Sequence, residues 1–430
     1  MTNRSVKTSE GKIHLVVGLG MSGIGAARSL DEAGEDWLAI EAKQEPGGWA
    51  QSRTVNEYRL DYGPHIMLDF DADLLRWMAL GEDIRVRHHR SNSVFFCDVD
   101  GHPVPVHLPL GDNAGSLPDI VATGHSDQSV PNYLSYLIDT FGFDIAARFL
   151  IPYDRKRLCV DLETLPPKWN RRVLPACKAN VGESSYLYPE NVGVGALSTH
   201  LLKVLDQRRL LYDCKLVRLS LKEKRAWLSD GSSVEFASLY SSLPLPELLR
   251  LLEECPFSSR EIEEALPYAS SDIIYLALRE NWTRDYDFAR IASNNIGFHR
   301  LTVLSAYSDH CCPPGEALLM LEAGRVPGAQ KSLATDPKDA IRQLIELGMI
   351  TPDAQLAFTD TASVEHSAII MNADTPNFVA RAHNALAASD VHLVGKFGRW
   401  EDMLMGRALR SGISAVRQQV QGEHDKETTG

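Results

Sequence analysis

The sequence has no run approaching the roughly 18–20 uninterrupted apolar residues of a membrane span, and no membrane role is expected of it. It has no basic excess. Its 44 Lys and Arg stand against 57 Asp and Glu, a formal net charge of −13. That argues against a nucleic-acid binder held by phosphate contacts, while leaving room for a local basic pocket. The first residues, MTNRSVKTSEGK, are polar and carry no apolar signal-peptide core. The seven cysteines include no C-x-x-C, and Cys311-Cys312 are adjacent, a spacing hard to close as an ordinary disulfide. A reduced, cytoplasmic protein is the expectation. His88-His89 and His310-Cys311-Cys312 have no evident partner ligands, so no metal is expected. Internal repeats and a GxSxG nucleophile motif are also missing.

What is present is a nucleotide-binding pattern in a chain of 430 residues, long enough for two or three packed domains. Residues 12–18 (KIHLVVG) read as a buried parallel strand. Gly18, Gly20 and Gly23 then fit GxGxxG, a helix pattern follows, and a second strand (DWLAIE) ends in Glu41. Gly18 permits the tight turn, Gly20 a close backbone approach to a pyrophosphate, and Gly23 the packing of helix on sheet. The free N–H groups of the helix start suit phosphate, and Glu41 suits ribose hydroxyls. Glu41-Ala42 continues to Gly47-Gly48, which resembles the E-A-x4-G-G run of FAD enzymes related to amine oxidases.

A narrower resemblance runs along the chain in order. Tyr58 to Met67, containing Gly63-Pro64-His65, resembles the segment that passes beside the flavin in UDP-galactopyranose mutases. Ile151 to Lys156 (IPYDRK), Pro167 to Val173 (PKWNRRV), Tyr188 to Gly193, Phe298 to Val303 and Pro313 to Glu322 resemble further motifs of that family. Gly395 to Trp400 (GKFGRW) resembles its closing G-R-x-G-x-W, and Ser411-Gly412 its last helix. The implied fold class is α/β: a Rossmann-like FAD-binding domain with a helical domain and an antiparallel β-sheet substrate domain. The implied activity is interconversion of pyranose and furanose forms of a nucleotide sugar. It uses reduced FAD through a flavin N5–sugar adduct, with NAD(P)H needed only as reductant. The alternative is an FAD-dependent oxidoreductase of the amine-oxidase type acting on an amine or amino sugar.

The resemblance assigns His65 and Arg300 to catalysis. It adds Gly63, Gly395, Arg399 and Met405 to the cofactor contacts, and gives Tyr153, Trp169, Arg172, Arg300, Trp400 and Glu401 to the substrate, with Lys156 within possible reach. Guanidinium suits a diphosphate through forked hydrogen bonds. Three departures stand out. Pro64 replaces a glycine and removes an N–H. Glu401-Asp402 replace a cation and a phenol that face diphosphate. Gly406 replaces an acid or amide. Two carboxylates beside a diphosphate would weaken binding unless Arg399, Arg407 or Arg410 compensate.

By this reading the FAD-binding domain is discontinuous: 1–65, 185–245 and 390–417. Residues 66–184 are mainly helical, 250–390 form the antiparallel sheet, and 418–430 are a flexible tail. Strands are expected at 210–219, 225–236, 271–279, 301–307 and 317–322, and helices at 71–80, 131–150, 197–205 and 336–348. The partner is a small molecule, and monomer and dimer both remain open.

Overall fold

The computed structural model describes residues 13–90, 92–107, 130–167, 185–330 and 336–429. Its opening strand β1 (Ile13–Val17) is buried along its whole length. It pairs in parallel with β2 (Trp37–Ile40) on one side and with the late strand β12 (Ser233–Ser241) on the other. A strand covered on both faces reads as a continuous apolar run, which is why KIHLVV shows no alternation. Beyond β2 lies β9 (Leu210–Leu211), and β18 (Val391–Leu393) adds in parallel to β12. The hairpin β10 (Leu216–Ser220) and β11 (Arg225–Leu228) attaches antiparallel to the start of β12.

The helix Met21–Glu32 begins at Gly20 with no side-chain cap and no acid in its first turn. Its first N–H groups are therefore left for an external acceptor. Its other face packs on the last helix, Met405–Thr429, through small residues. A Cβ on Gly25 would lie 2.4 Å from the Leu409 carbonyl oxygen, and one on Gly412 would lie 1.9 Å from that of Ser22.

The second sheet has seven strands in the order Leu356–Ile369 (β17), Tyr268–Leu278 (β13), Ala317–Arg325 (β16), Arg300–Val303 (β15), Phe288–Ile291 (β14), Ser93–Val99 (β6) and His102–His107 (β7). Next to the edge, β13 runs antiparallel to both β16 and the edge strand β17. Then come β15 (Arg300–Val303) and β14 (Phe288–Ile291), both antiparallel, and β6 (Ser93–Val99), parallel to β14 and joined by a hairpin to β7 (His102–His107). Two small pairs complete the scaffold: β3 (Ser52–Val55) with β4 (Tyr58–Asp61), and β5 (Val86–Arg90) with β8 (Ser185–Pro189).

Three sequence expectations change. Residues 66–184, expected to be mainly helical, also contribute the strands β5, β6 and β7 among their described residues. The run Val94-Phe95-Phe96-Cys97 is buried between β14 and β7, an interior position that favours bulky β-formers. The helices of this segment, Ala72–Met78, Tyr133–Phe141 and Ile151–Leu158, do form, the first two capped by Asp71 and Asn132. Strand β15 stops at Val303, and Leu304–Tyr307 is a helical turn. The last helix runs on to Thr429 through the segment read as a flexible tail, whose Gln, Glu and Lys are good helix formers. Among the described residues no helix is long and apolar enough to cross a membrane.

Candidate functional site

A cavity of about 1200 Å³ lies between the two sheets. At one end it meets the tips of β1 and β2. Gly18 has φ +88° and its position would bring a Cβ to 2.4 Å from Ser242 Oγ, so only glycine fits this turn. A Cβ on Gly23 would sit 1.8 Å from the Gly18 carbonyl oxygen, which is the close helix-on-turn contact expected of it. Gly20 and Gly47 are bridged, with Gly47 N–H donating to the Leu19 carbonyl at 2.7 Å, and Gly48 packs beside Gly20. Glu41 follows the end of β2, buried, and its carboxylate accepts from Leu19 N–H (2.7 Å) and Lys43 N–H (3.0 Å). Gly18, Gly20, Glu41, Ala42, Gly47 and Gly48 all line the cavity, while Gly23 supports it from behind.

The opposite wall is charged. Arg290 on β14, Arg300 on β15 and Glu322 on β16 stand directly opposite one another in a single row. Arg300 closes a two-point ion pair with Glu322. Arg157 joins them from the helix Ile151–Leu158, fixed by Asp154 Oδ1 at 2.9 and 3.1 Å. Asp154 is itself buried and also accepts from Tyr133 O–H at 2.8 Å. Like charges facing each other across strands oppose sheet formation, and here Glu322 offsets the Arg290–Arg300 pair. Tyr153 lines this end with its ring 5.8 Å from that of His299. Lys156 does not line it; its ammonium donates to the carbonyls of Ser293 (2.8 Å) and Ile296 (3.1 Å), and burial pushes its pKa down to about 7.

Gly63 and His65 line the middle of the cavity, in a turn closed by His65 N–H donating to the Gly63 carbonyl at 2.8 Å. The His65 Nδ1 is buried with no partner inside the protein. Burial first, then the Arg300 and Lys396 cations, lower its pKa to about 4, so the imidazole is neutral near pH 7.

The C-terminal motif divides. Lys396, Asp402 and Met405 line the cavity, with Lys396 Nζ 3.1 Å from Asp402 Oδ1. Arg399, Trp400 and Glu401 do not. Trp400 is in the core beneath Phe397. Glu401 turns outward to Arg399 (3.4 Å) and Arg407 (2.6 Å). Gly395 contributes from behind, donating its N–H to Ser411 Oγ at 2.7 Å. The helix start beside Met405 is capped by Asp69, which accepts from Gly406 N–H (2.9 Å) and Arg407 N–H (2.7 Å). Trp169 and Arg172 lie outside the described residues. Lys396, missed as a site residue, stands where the G-R-x-G-x-W pattern has its arginine, so the signal was present. Arg157 and Arg290 carry no motif; docking of the helix Ile151–Leu158 places the first and strand register the second.

Geometry and topology together define a Rossmann-like fold with a second, mainly antiparallel sheet across the cavity from it. Residues 16–80 match the family described as NAD(P)-binding Rossmann-like domain. Over most of its length the chain is similar in fold to a reduced UDP-galactopyranose mutase, with 21% identity, coverage of 96% of this chain and 94% of that one, and a TM-score of 0.83. It is also similar to the cyclohexylamine oxidase of Brevibacterium oxydans IH-35A (14% identity, 95% and 99% covered, TM-score 0.69). A third likeness is to a CLA-producing fatty acid isomerase of P. acnes (12% identity, 96% and 99% covered, TM-score 0.63). No functionally curated protein matches the sequence. At these identities the likeness is one of fold, and the fold hosts isomerising and oxidising proteins alike.

Proposed function

We propose that the chain is a flavoenzyme that binds FAD and acts as a sugar mutase on a nucleotide sugar, interconverting its pyranose and furanose forms. The observation that carries this reading is the Arg290–Arg300–Glu322 row with Arg157 beside it. Three guanidiniums on one wall suit a diphosphate far better than a neutral amine.

The residues present fit the cofactor. The uncapped helix start behind Gly18–Gly20 would take the pyrophosphate, Glu41 the ribose, and Gly63–His65 with Met405 would border the flavin ring. Reduced FAD would supply a nucleophilic ring nitrogen for exchange at the anomeric carbon without net oxidation, NAD(P)H being a possible source of reduction. The protein does the rest. Arg300, aimed by Glu322, and Arg290 hold the departing diphosphate. Neutral His65 presents an uncharged edge between cofactor and substrate, and the two sheets exclude water.

The test is incubation of dithionite-reduced protein with a panel of nucleotide sugars. Furanose product with no net oxidation supports the mutase. Substrate-driven bleaching of oxidised flavin, with hydrogen peroxide released in air, would instead establish the second reading, an oxidoreductase of the amine-oxidase type. One observation favours that alternative: Asp402, a carboxylate suited to an amine, lines the cavity where the mutase pattern has other chemistry. The ligand in either case is a small molecule.

A further inference from the structure

The loop between β14 and β15, residues 292–299, joins the two strands that carry Arg290 and Arg300. Ala292, Ser293, Ile296 and Phe298 in it are buried, so its backbone groups must bond to protein rather than to water. Three elements supply the partners. Asp98 of β6 accepts from Asn294 N–H at 3.1 Å, and Gln343 Oε1 accepts from Gly297 N–H at 2.6 Å. Lys156 takes the carbonyls, its ammonium donating to those of Ser293 (2.8 Å), Ile296 (3.1 Å) and Phe298 (3.4 Å). An ammonium has three N–H donors and no acceptor, which suits three carbonyls; a neutral amine would present a lone pair to one of them.

The same helical turn reaches the charged wall. A Cβ on Gly324 of β16 would lie 2.1 Å from the Lys156 carbonyl oxygen and 2.9 Å from that of Arg157, so the glycine lets the end of the helix Ile151–Leu158 rest on β16, two residues from Glu322. Arg157 lines the cavity, while the Lys156 side chain goes to the loop. We propose that Lys156 is a positioning residue, whose ammonium fixes the β14–β15 loop and so sets Arg290 and Arg300 at the spacing that receives a diphosphate. This role rests on the nucleotide-sugar reading for its ligand, whereas the hold on the loop does not. Burial lowers the Lys156 pKa to about 7, and Asp98 of β6 acts the other way, favouring the charge. His299 of β15 is kept neutral by burial, and on β13 and β16 Asp272 pairs with Arg325 and Glu322 with Arg300. A ligand whose binding favours the ammonium must, by linkage, bind less tightly as pH rises past about 7.

The experiment titrates purified protein with UDP, GDP and dTDP in a calorimeter from about pH 6 to about pH 9, a range that spans the loss of the Lys156 proton. Lys156→Met should weaken the tightest of the three by about 10–100-fold at the acid end, the scale on which misplaced groups act. That gap should close toward the alkaline end, where the parent has lost its ammonium; comparing the two proteins at each pH cancels the titration of the phosphates themselves. Lys156→Arg, which stays charged, should restore affinity and remove the alkaline decline. Backbone amide exchange over residues 292–299, followed at the acid end, should be faster in Lys156→Met than in the parent. A Lys156→Met protein that binds as the parent does at the acid end, or a gap that stays constant with pH, overturns the proposal. If Lys156→Met does not fold, the alkaline decline of the parent and its absence in Lys156→Arg decide. If none of the three diphosphates binds the parent, the nucleotide-sugar reading fails instead, and unchanged amide exchange in Lys156→Met would then overturn the hold on the loop as well.

Discussion

Arg300 and Glu322 face one another across adjacent strands, and both N–H groups on one edge of the guanidinium are taken by the carboxylate. The protein thus supplies its own anion to Arg300, as Asp154 does to Arg157, on a wall rich in arginine. Substitutions at the two partners should act in opposite directions on ligand binding. Arg300→Ala should weaken binding of a nucleoside diphosphate by about 1.5–3 kcal/mol, the range of a charged hydrogen bond. Glu322→Gln should tighten it, because the guanidinium no longer has an internal carboxylate to leave. The same change should cost about 3 kcal/mol of folding stability by leaving a desolvated cation unpaired. Titration calorimetry and urea unfolding read the two effects separately.

Glu401 and Asp402 are neighbours in sequence with different fates. Glu401 is engaged by Arg399 and Arg407 off the cavity, and Asp402 lines it. Glu401→Gln should change nucleotide affinity by less than about 0.5 kcal/mol, as surface substitutions do. Asp402→Asn releases Lys396 and should strengthen anion binding. Equal responses of the two variants in the same calorimetric titration would contradict this placement.

Glu41→Ala should yield protein that loses flavin on gel filtration. The carboxylate that would meet the ribose is gone, and the Leu19 N–H is left without its acceptor, a loss of about 1–3 kcal/mol. The flavin-to-protein absorbance ratio before and after the column measures it.

Asp61 offers a pH test. It is buried, accepts from Ser52 and Tyr188 hydroxyls at 2.5 Å each, and burial raises its pKa to about 6 despite those bonds. In the unfolded chain it ionises near pH 3.9. Between those values the folded state binds more protons, so this group's contribution to stability falls as pH rises from about 4 to 6 and stays low above it. Asp61→Asn carries no charge. Its unfolding free energy relative to the parent should therefore improve by about 2 kcal/mol between pH 4.5 and 7. A flat difference across that range would show that Asp61 ionises normally.

Gly23→Ala should be among the most damaging single changes, since its Cβ meets backbone 1.8 Å away and no side chain can yield. Overpacking of this kind costs about 1–3 kcal/mol or more. Thermal unfolding of the variant, compared with Gly34→Ala at a position with open space, separates steric from conformational cost.

The nucleotide end was legible because its signals are local. Strand, glycines, helix and Glu41 occur within thirty residues of chain and each has a backbone reason to be there. The charged wall of the cavity was legible only in part. Arg300 stood in a motif, but Arg290 and Arg157 became neighbours through strand register and helix docking, which no local pattern encodes. Lys396 and Arg399 show the same limit at closer range. Both are cations in one short motif, and a helical turn sends one inward and the other out. The strand Ser93–Val99 was hidden because its buried run of four apolar residues carries no period.

The contact of Gly25 and Ser22 with Leu409 and Gly412 ties the first helix to the last. During synthesis the glycine turn emerges early, but the surface its helix rests on is made nearly four hundred residues later. Until then the Gly25 face has nothing to lie against, although β1 has gained β12 on one side once residue 241 is made. A ribosome-bound chain stopped short of residue 395 should therefore display the whole glycine motif and still be unable to retain a nucleotide.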